Sequence, residues 1–295
     1  VTIDNPVRVG LVGSGIGPSL SPALHVREAD RLGVPYAYSR FDLDELGLPA
    51  TAVGALLDRA RADGYRGLNI THPCKQLVLP HLDELSGEAE AIGAVNTVVF
   101  EGARAVGHNT DWSGFRYGMS TGLPGAATDR VVLLGAGGAG AASAHALLTL
   151  GVGALDILDL DHARAARLAD ALAARFGSGR VRSGGSGDLA VRLGRADGLV
   201  HATPVGMAEQ PGLPLPPDLL RPALWVAEIV YRPLDTALLR AARAAGCATL
   251  DGGRMAVHQA AEALRLFTGA DPDPERMLRH LAELVTPDKE AGRVA

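Results

Sequence analysis

The sequence predicts an α/β protein of two domains: an N-terminal α/β unit on a mostly parallel sheet, and a Rossmann-type, doubly wound unit. Three observations predict it. From Val7 onward short apolar runs alternate with amphipathic segments, the rhythm that lays helices over a mostly parallel sheet. The turn Gly135-Ala136-Gly137-Gly138-Ala139-Gly140 follows an apolar run and opens a helical one, the setting in which such a turn receives a pyrophosphate. The chain has 295 residues, enough for two cores.

In the first unit, the valine- and leucine-rich run Val7 to Val12 predicts a strand, and Pro22 to Leu32 a helix opened by a proline suited to a first turn. Tyr36 to Phe41 and Gly67 to Ile70 predict strands on either side of a helix at Ala52 to Ala62. Thr97 to Phe100 and Arg104 to Gly107 predict two more strands, split by a turn at Glu101-Gly102. The second unit alternates strands at Val131 to Leu134, Leu155 to Leu158, Gly198 to Ala202 and Trp225 to Val230 with helices at Ala139 to Leu150 and Ala163 to Phe176. Gly177 to Gly187, rich in glycine and serine, predicts a surface loop, and the chain from Met255 onward predicts helices.

Composition excludes several functions. With 47% hydrophobic and 21% charged residues and a net charge of −5, the chain lacks the basic surface that nucleic acid or an anionic membrane requires. Cys74 and Cys247 form no CxxC pattern, and the nine histidines show no HExxH spacing, so neither a disulfide scaffold nor a metal is expected. Around Asp4 and Arg8 nothing reads as a signal peptide, and no apolar stretch reaches spanning length. The expectation is a cytoplasmic protein, a monomer or homodimer, acting on a small molecule.

Two features carry chemistry. Only two of the 28 basic residues are lysines, Lys289 in the charged tail and Lys75 in the polar run Gly67 to Lys75. Arginine stays protonated at any working pH, whereas lysine can give and take a proton. The second is the glycine turn, with Asp159 ending the next strand 19 residues after Gly140, the spacing at which an acid reaches an adenosine ribose. A carboxylate accepts from the 2′ and 3′ hydroxyls and repels a 2′-phosphate, so NAD is favoured over NADP. Arg164 reads either as a solvated helix residue or as a group able to face a phosphate. Gly13, Gly15 and Gly17 form no second fingerprint, since its third glycine would fall at Pro18 or Leu20. That turn, running into Ser19 and Ser21, reads as a substrate loop.

Several ordered runs together resemble the shikimate dehydrogenase family, including its quinate/shikimate branch. They are Ser19-Leu20-Ser21-Pro22, Asn69 to Lys75, Gly93 to Thr97, Gly107 to Asp111 with Gly114-Phe115, the glycine turn, Ala202 to Met207, Tyr231-Arg232-Pro233 and Gln259. The resemblance implies a cleft between two domains, 1–111 with 255–295 as the substrate-binding and catalytic unit and 112–254 as the NAD(P)-binding unit. It implies reversible hydride transfer between a nicotinamide and a ring alcohol, with Lys75 and Asp111 as the catalytic pair. Ser19, Ser21, Asn69, Thr71, Asn96, Tyr231 and Gln259 would hold the carboxylate and hydroxyls of the substrate. Gly135, Ala136, Gly137, Gly138, Ala139, Gly140, Asp159 and Arg164 would meet the dinucleotide, with Thr203, Pro204, Val205, Gly206, Met207, Val230, Gly252 and Met255 toward its nicotinamide side.

The residues also have plainer readings. Ser19 and Ser21 suit a helix cap, Asn69 and Asn96 suit turns, Asp111 suits the cap of a helix beginning at Trp112, and Gln259 suits a helix surface. Against the family pattern, His201 stands where many relatives have Asn, Glu228 where Asp is common, and Asp159 where NADP-reading members carry an Asn-Arg-Thr type of sequence. Asp159 points to the NAD-using branch and Ser21 to shikimate, since quinate users often carry Thr there. Alternatives are a quinate, aminoquinate or aminoshikimate dehydrogenase and, from another class, a non-catalytic nucleotide-sensing module, for which Lys75 and Asp111 would both be superfluous.

Overall fold

The computed structural model describes residues 5–285; Asp4, Lys289 and the end of the expected catalytic unit, 286–295, lie outside the described residues. The chain opens with β1 (Val7–Gly13), α1 (Ser21–Arg31), β2 (Tyr36–Asp42), the short α2 (Leu43–Leu46), α3 (Val53–Ala62) and β3 (Gly67–Ile70). Then come β4 (Glu84–Leu85), α4 (Gly87–Ile92), β5 (Thr97–Glu101) and β6 (Arg104–His108). These strands form one sheet in the order β2-β1-β3-β5-β6-β4. β1 runs parallel to both β2 and β3, whereas β5 and β6 form an antiparallel hairpin. Val9, Val12, Leu68 and Ile70 are buried between the helices that cover the sheet, as expected of strands apolar on both faces.

α5 (Asp111–Gly122) carries the chain to β7 (Arg130–Leu134), α6 (Gly138–Thr149), β8 (Ala154–Leu158), α7 (His162–Phe176) and β9 (Val181–Gly184). α8 (Leu189–Leu193), β10 (Gly198–His201), β11 (Trp225–Glu228), α9 (Ala237–Ala244) and β12 (Ala248–Leu250) follow. This second sheet is wholly parallel, in the order β12-β11-β10-β7-β8-β9. Its order reverses between β7 and β10, the place where open parallel sheets leave a crevice for ligands. The glycine-rich stretch 177–187 is not loop throughout: Val181–Gly184 is an edge strand paired with β8.

α10 (Gly253–Thr268) and α11 (Pro274–Val285) close the structure. α10 lies along α5 and also reaches the first sheet, where Phe267 and Ala263 pack with Val9 and Val99. α11 is tied to α1 by a buried ion pair: Glu28 is fully buried and takes a forked pair of hydrogen bonds from Arg276 at 2.9 and 2.5 Å, plus the Asp273 N–H at 2.8 Å. Among the described residues no helix is long and apolar enough to cross a membrane.

α1 also buries His25 against β2, with Nδ1 3.1 Å from the Tyr36 hydroxyl and the ring edge-on to Tyr38. Burial holds this imidazole down at about 3, against an ordinary 6.5. The unfolded chain therefore binds the proton first, and the stability held above pH 6.5 is lost as pH falls from there toward 3. In urea titrations at a series of pH values, His25→Asn, which keeps a non-titrating partner for Tyr36, should lose stability less steeply than the wild type. The difference should approach ~1.4 kcal/mol per pH unit; parallel curves would assign the acid sensitivity to other groups.

Candidate active site

Between β1 and α1 the chain makes a loop whose shape is set from outside. The Asp42 carboxylate, at the end of β2 and 4% exposed, accepts the backbone N–H groups of Gly15 (3.0 Å), Ile16 (2.7 Å), Gly17 (3.1 Å) and Asp44 (3.1 Å). The loop presents Ser19 and Ser21 to a cavity. Neither serine caps α1: its N-cap is Leu20, and the Ser19 hydroxyl accepts from Ser21 N instead. Tyr231, beyond β11, faces both. Burial pushes its phenol up while Ser19 and Ser21 pull the other way, so the net direction is upward and the phenol remains a neutral donor.

Lys75 follows β3 in a turn fixed by Cys74 N–H to the Thr71 carbonyl and Val95 N–H to the Lys75 carbonyl. Its Nζ lies 2.5 Å from Oδ2 of Asp111, whose side chain is 2% exposed against 17% for the lysine. Asp111 opens α5 without serving as its cap. Asn109 does that work, its Oδ1 accepting from the N–H groups of Asp111 (3.0 Å) and Trp112 (3.3 Å), which leaves the Asp111 carboxylate for side chains. The other oxygen of Asp111 accepts from Asn96 Nδ2 at 3.0 Å, and the same amide reaches Gln259 Oε1 at 3.3 Å. Asn69 joins this network through Thr97, and the Tyr38 hydroxyl orients it by donating to its Oδ1 at 2.9 Å. Asn69 and Asn96 are therefore interior network residues, and Gln259 points inward from α10.

The cavity measures about 160 Å³, small beside the ~300–1,000 Å³ of sites for drug-sized ligands. Its lining brings together Ser19, Ser21, Asn69, Thr71, Lys75, Asn96, Asp111, Tyr231 and Gln259, with Ala139, Gly252 and Met255 from the expected nucleotide side. Sequence reasoning missed two of its polar neighbours, His25 and Thr110. Signals for both existed: His25 lies one helical turn after Ser21, and Thr110 sits inside the Asn109-Thr110-Asp111 run.

The glycine turn lies beside this cavity. Gly135 has φ +102°, and a Cβ there would come within 2.5 Å of the Ala202 carbonyl oxygen. A Cβ on Gly140 would stand 2.1 Å from the Gly135 carbonyl oxygen, whereas one on Gly137 would meet nothing within 4 Å. The turn is thus tight on its protein side and open on the other, and α6 begins with no side-chain cap on its N–H groups. An uncapped helix start behind bare backbone fits a pyrophosphate. Gly138 touches the other half of the site: its Cβ would be 3.2 Å from Lys75 Cδ.

Asp159 differs from expectation. Its oxygens already accept four donors: Ala136 N (2.7 Å), Asp161 N (2.8 Å), and Arg164 Nε (3.2 Å) and Nη2 (2.7 Å). Burial pushes this carboxyl up, but those bonds outweigh it and hold it below the usual range. A carboxylate has about four acceptor sites, so Asp159 can accept ribose hydroxyls only when Arg164 moves off. Arg164 is the basic partner of Asp159, not a free helix residue. Thr203, Pro204, Val205, Gly206 and Met207 follow β10 across the sheet reversal from the glycine turn; Met207 is exposed, while Val230, in the loop after β11, is buried.

Residues 11–98 match the model of the shikimate dehydrogenase substrate binding domain, and residues 253–281 that of the shikimate 5′-dehydrogenase C-terminal domain. The chain is 63% identical over 276 residues to a shikimate dehydrogenase (NADP(+)) of Streptomyces avermitilis, covering 94% of this chain and 95% of that one. It is 48% identical over 272 residues to a quinate/shikimate dehydrogenase (NAD(+)) of Corynebacterium efficiens, covering 92% and 96%. The solved structure of a quinate dehydrogenase from Corynebacterium glutamicum in complex with NAD superposes with a TM-score of 0.87 at 47% identity, over 94% of this chain and 99% of that one. With two domain models, near full-length identity and a shared two-domain α/β architecture in agreement, the chain belongs to the shikimate dehydrogenase family.

Proposed function

We propose that the protein is an NAD(P)-linked dehydrogenase that interconverts shikimate and 3-dehydroshikimate, with Lys75 and Asp111 as its catalytic pair. The observation that carries this reading is the 2.5 Å contact of Lys75 with a buried Asp111 in a small polar cavity, beside a glycine turn fit for a dinucleotide. On this reading residues 1–111 with 255–295 bind the substrate and 112–254 the dinucleotide. The polar lining suits a polyhydroxy acid, since Ser, Thr, Asn, Gln and Tyr satisfy hydroxyls and a carboxylate through neutral hydrogen bonds. Ser19, Ser21 and Tyr231 lie together as a carboxylate site would require; Asn69, Thr71, Asn96 and Gln259 surround the ring.

The nicotinamide, when bound, accepts or supplies the hydride. Lys75 handles the proton: in reduction its ammonium gives a proton to the carbonyl oxygen as the hydride arrives, leaving the neutral amine, and in oxidation the neutral amine takes the proton of the reacting hydroxyl as the carbonyl forms. Asp111 fixes where Nζ points, and Asn96 fixes Asp111. Because Gly138 lies against the aliphatic stem of Lys75, a bound dinucleotide and the proton carrier share one wall.

The pairing of Asp159 with Arg164 bears on cofactor choice. A bare carboxylate would repel a 2′-phosphate outright, but a guanidinium clamped on it neutralises much of that field. NAD is the preferred cofactor on this reading, by a margin that Arg164 narrows. The relatives carry both names, NADP(+) for the Streptomyces avermitilis protein at 63% identity and NAD(+) for the Corynebacterium efficiens one at 48%. Ser21 favours shikimate over quinate, and relative rates on the two acids decide between those substrates.

Three outcomes are expected. Initial-rate kinetics on Lys75→Arg should show kcat lowered by about 10²-fold or more with a smaller change in substrate KM, since positioned proton transfer contributes ~10²- to 10⁴-fold; near-normal turnover would remove lysine from the reaction. Gly138→Ala should keep its fold by circular dichroism yet lose about tenfold in kcat, because its methyl displaces the Lys75 stem and a small misplacement is costly to catalysis. Comparing kcat/KM for both cofactors, Arg164→Ala should widen the preference for NAD and Asp159→Ala should move it toward NADP; unchanged ratios in both would locate the discrimination elsewhere.

A further inference from the structure

His201 and Glu228, two of the three residues that depart from the family pattern, turn out to be one structural unit. They end adjacent parallel strands, β10 and β11, directly opposite each other in the register, and both side chains are wholly buried. His201 Nδ1 lies 2.9 Å from Glu228 Oε1, and His201 Nε2 lies 2.5 Å from the Thr203 hydroxyl. The carboxylate also accepts the Val230 N–H at 3.0 Å on Oε1 and the Thr236 hydroxyl at 3.1 Å on Oε2. Thr236 is fully buried and caps α9 by accepting the Leu239 N–H.

The direction of each bond follows from chemistry. A carboxylate only accepts, so in the neutral ring the hydrogen sits on Nδ1; Nε2 then accepts from the Thr203 hydroxyl, which in turn accepts the Val205 N–H at 3.3 Å. This polar chain runs from the start of α9, through β11 and β10, into the loop of residues 203–207. It also reaches the glycine turn, because the Thr203 methyl stands 3.1 Å from where a Gly135 Cβ would be. Buried polar groups with every partner in place hold one geometry.

We infer that His201 is a positioning residue for the dinucleotide site: clamped by Glu228, it fixes Thr203, and through Thr203 both the 203–207 loop and the glycine turn. This rests on the reading that these two segments receive the dinucleotide. Asn and Gln separate the two bonds of the ring. The Asn amide occupies the place of Nδ1 and keeps the link to Glu228 while releasing Thr203; the longer Gln amide reaches the place of Nε2 and keeps Thr203 while taking one of its three donors from Glu228.

The test is calorimetric titration with NAD and with NADP, no substrate present, alongside thermal melts and initial rates. His201→Asn should weaken dinucleotide binding about tenfold, the effect of one lost buried hydrogen bond, with the melting temperature and the KM for shikimate near those of the wild type. His201→Gln should show the reverse, a lower melting temperature with dinucleotide affinity largely kept. Thr203→Val cuts the same bond as His201→Asn from the other end and also removes the acceptor of the Val205 N–H, so it should weaken binding at least as much, and adding His201→Asn to it should cost little more. Dinucleotide affinity within twofold of wild type in His201→Asn and Thr203→Val, or affinity that simply follows the melting temperature across the series, would overturn the inference. Wild-type protein that binds dinucleotide but does not oxidise shikimate would count against the proposed reaction and leave this binding test intact.

Discussion

A buried carboxylate sits where the chain leaves its first sheet for its second, and much of the site is arranged to keep it there. Asp111 is almost fully enclosed, and an ion in that position is costly unless it is both paired and hydrogen-bonded. Lys75 supplies the charge and Asn96 a donor, while Asn109 relieves Asp111 of capping the helix it begins. Each of these partners sits on a different segment: the turn after β3, the approach to β5, and the approach to α5. Satisfying one carboxylate therefore fixes the mutual placement of three stretches of chain and the angle at which α5 departs.

The second half of the site is organised by close approach rather than by charge. Bare backbone at Gly135 and Gly140 lets α6 begin hard against β10's end, and the buried chain of Thr236, Glu228, His201 and Thr203 continues that alignment across the sheet. The two halves meet at Gly138 and Lys75. Where they meet, less than a methyl group's width separates the glycine turn from the Lys75 stem.

Much of this was legible in the sequence because it depends on patterns local in the chain. Strands such as Gly67–Ile70 are short, apolar and bounded by polar turns, and the structure keeps those bounds. The glycine turn likewise carries its context with it. What escaped has physical causes. Val181–Gly184 has one large apolar residue in four and pairs only along one edge, so its strand character comes from β8 and not from its own composition. α9 and α4 are too short, at eight and six residues, for periodicity to stand out. The inward turn of Gln259 is reached only through the family resemblance, and the saturation of Asp159 by Arg164 is a tertiary fact; both are set by partners that spacing alone cannot rank. His201 and Glu228 read separately as two local oddities; only the register of β10 on β11 makes them neighbours.

Asp42 gathers the amide hydrogens of the loop between β1 and α1 without lending a side chain to the cavity. Because it grips backbone, its hold is indifferent to which side chains the loop carries. On the function proposed above, the loop is in effect a mount with exchangeable fittings: hydroxyls along it can be altered for a different ring acid while the curve that presents them stays the same. Divergence of substrate choice can then proceed by single replacements in the loop, with no need to rebuild the scaffold beneath.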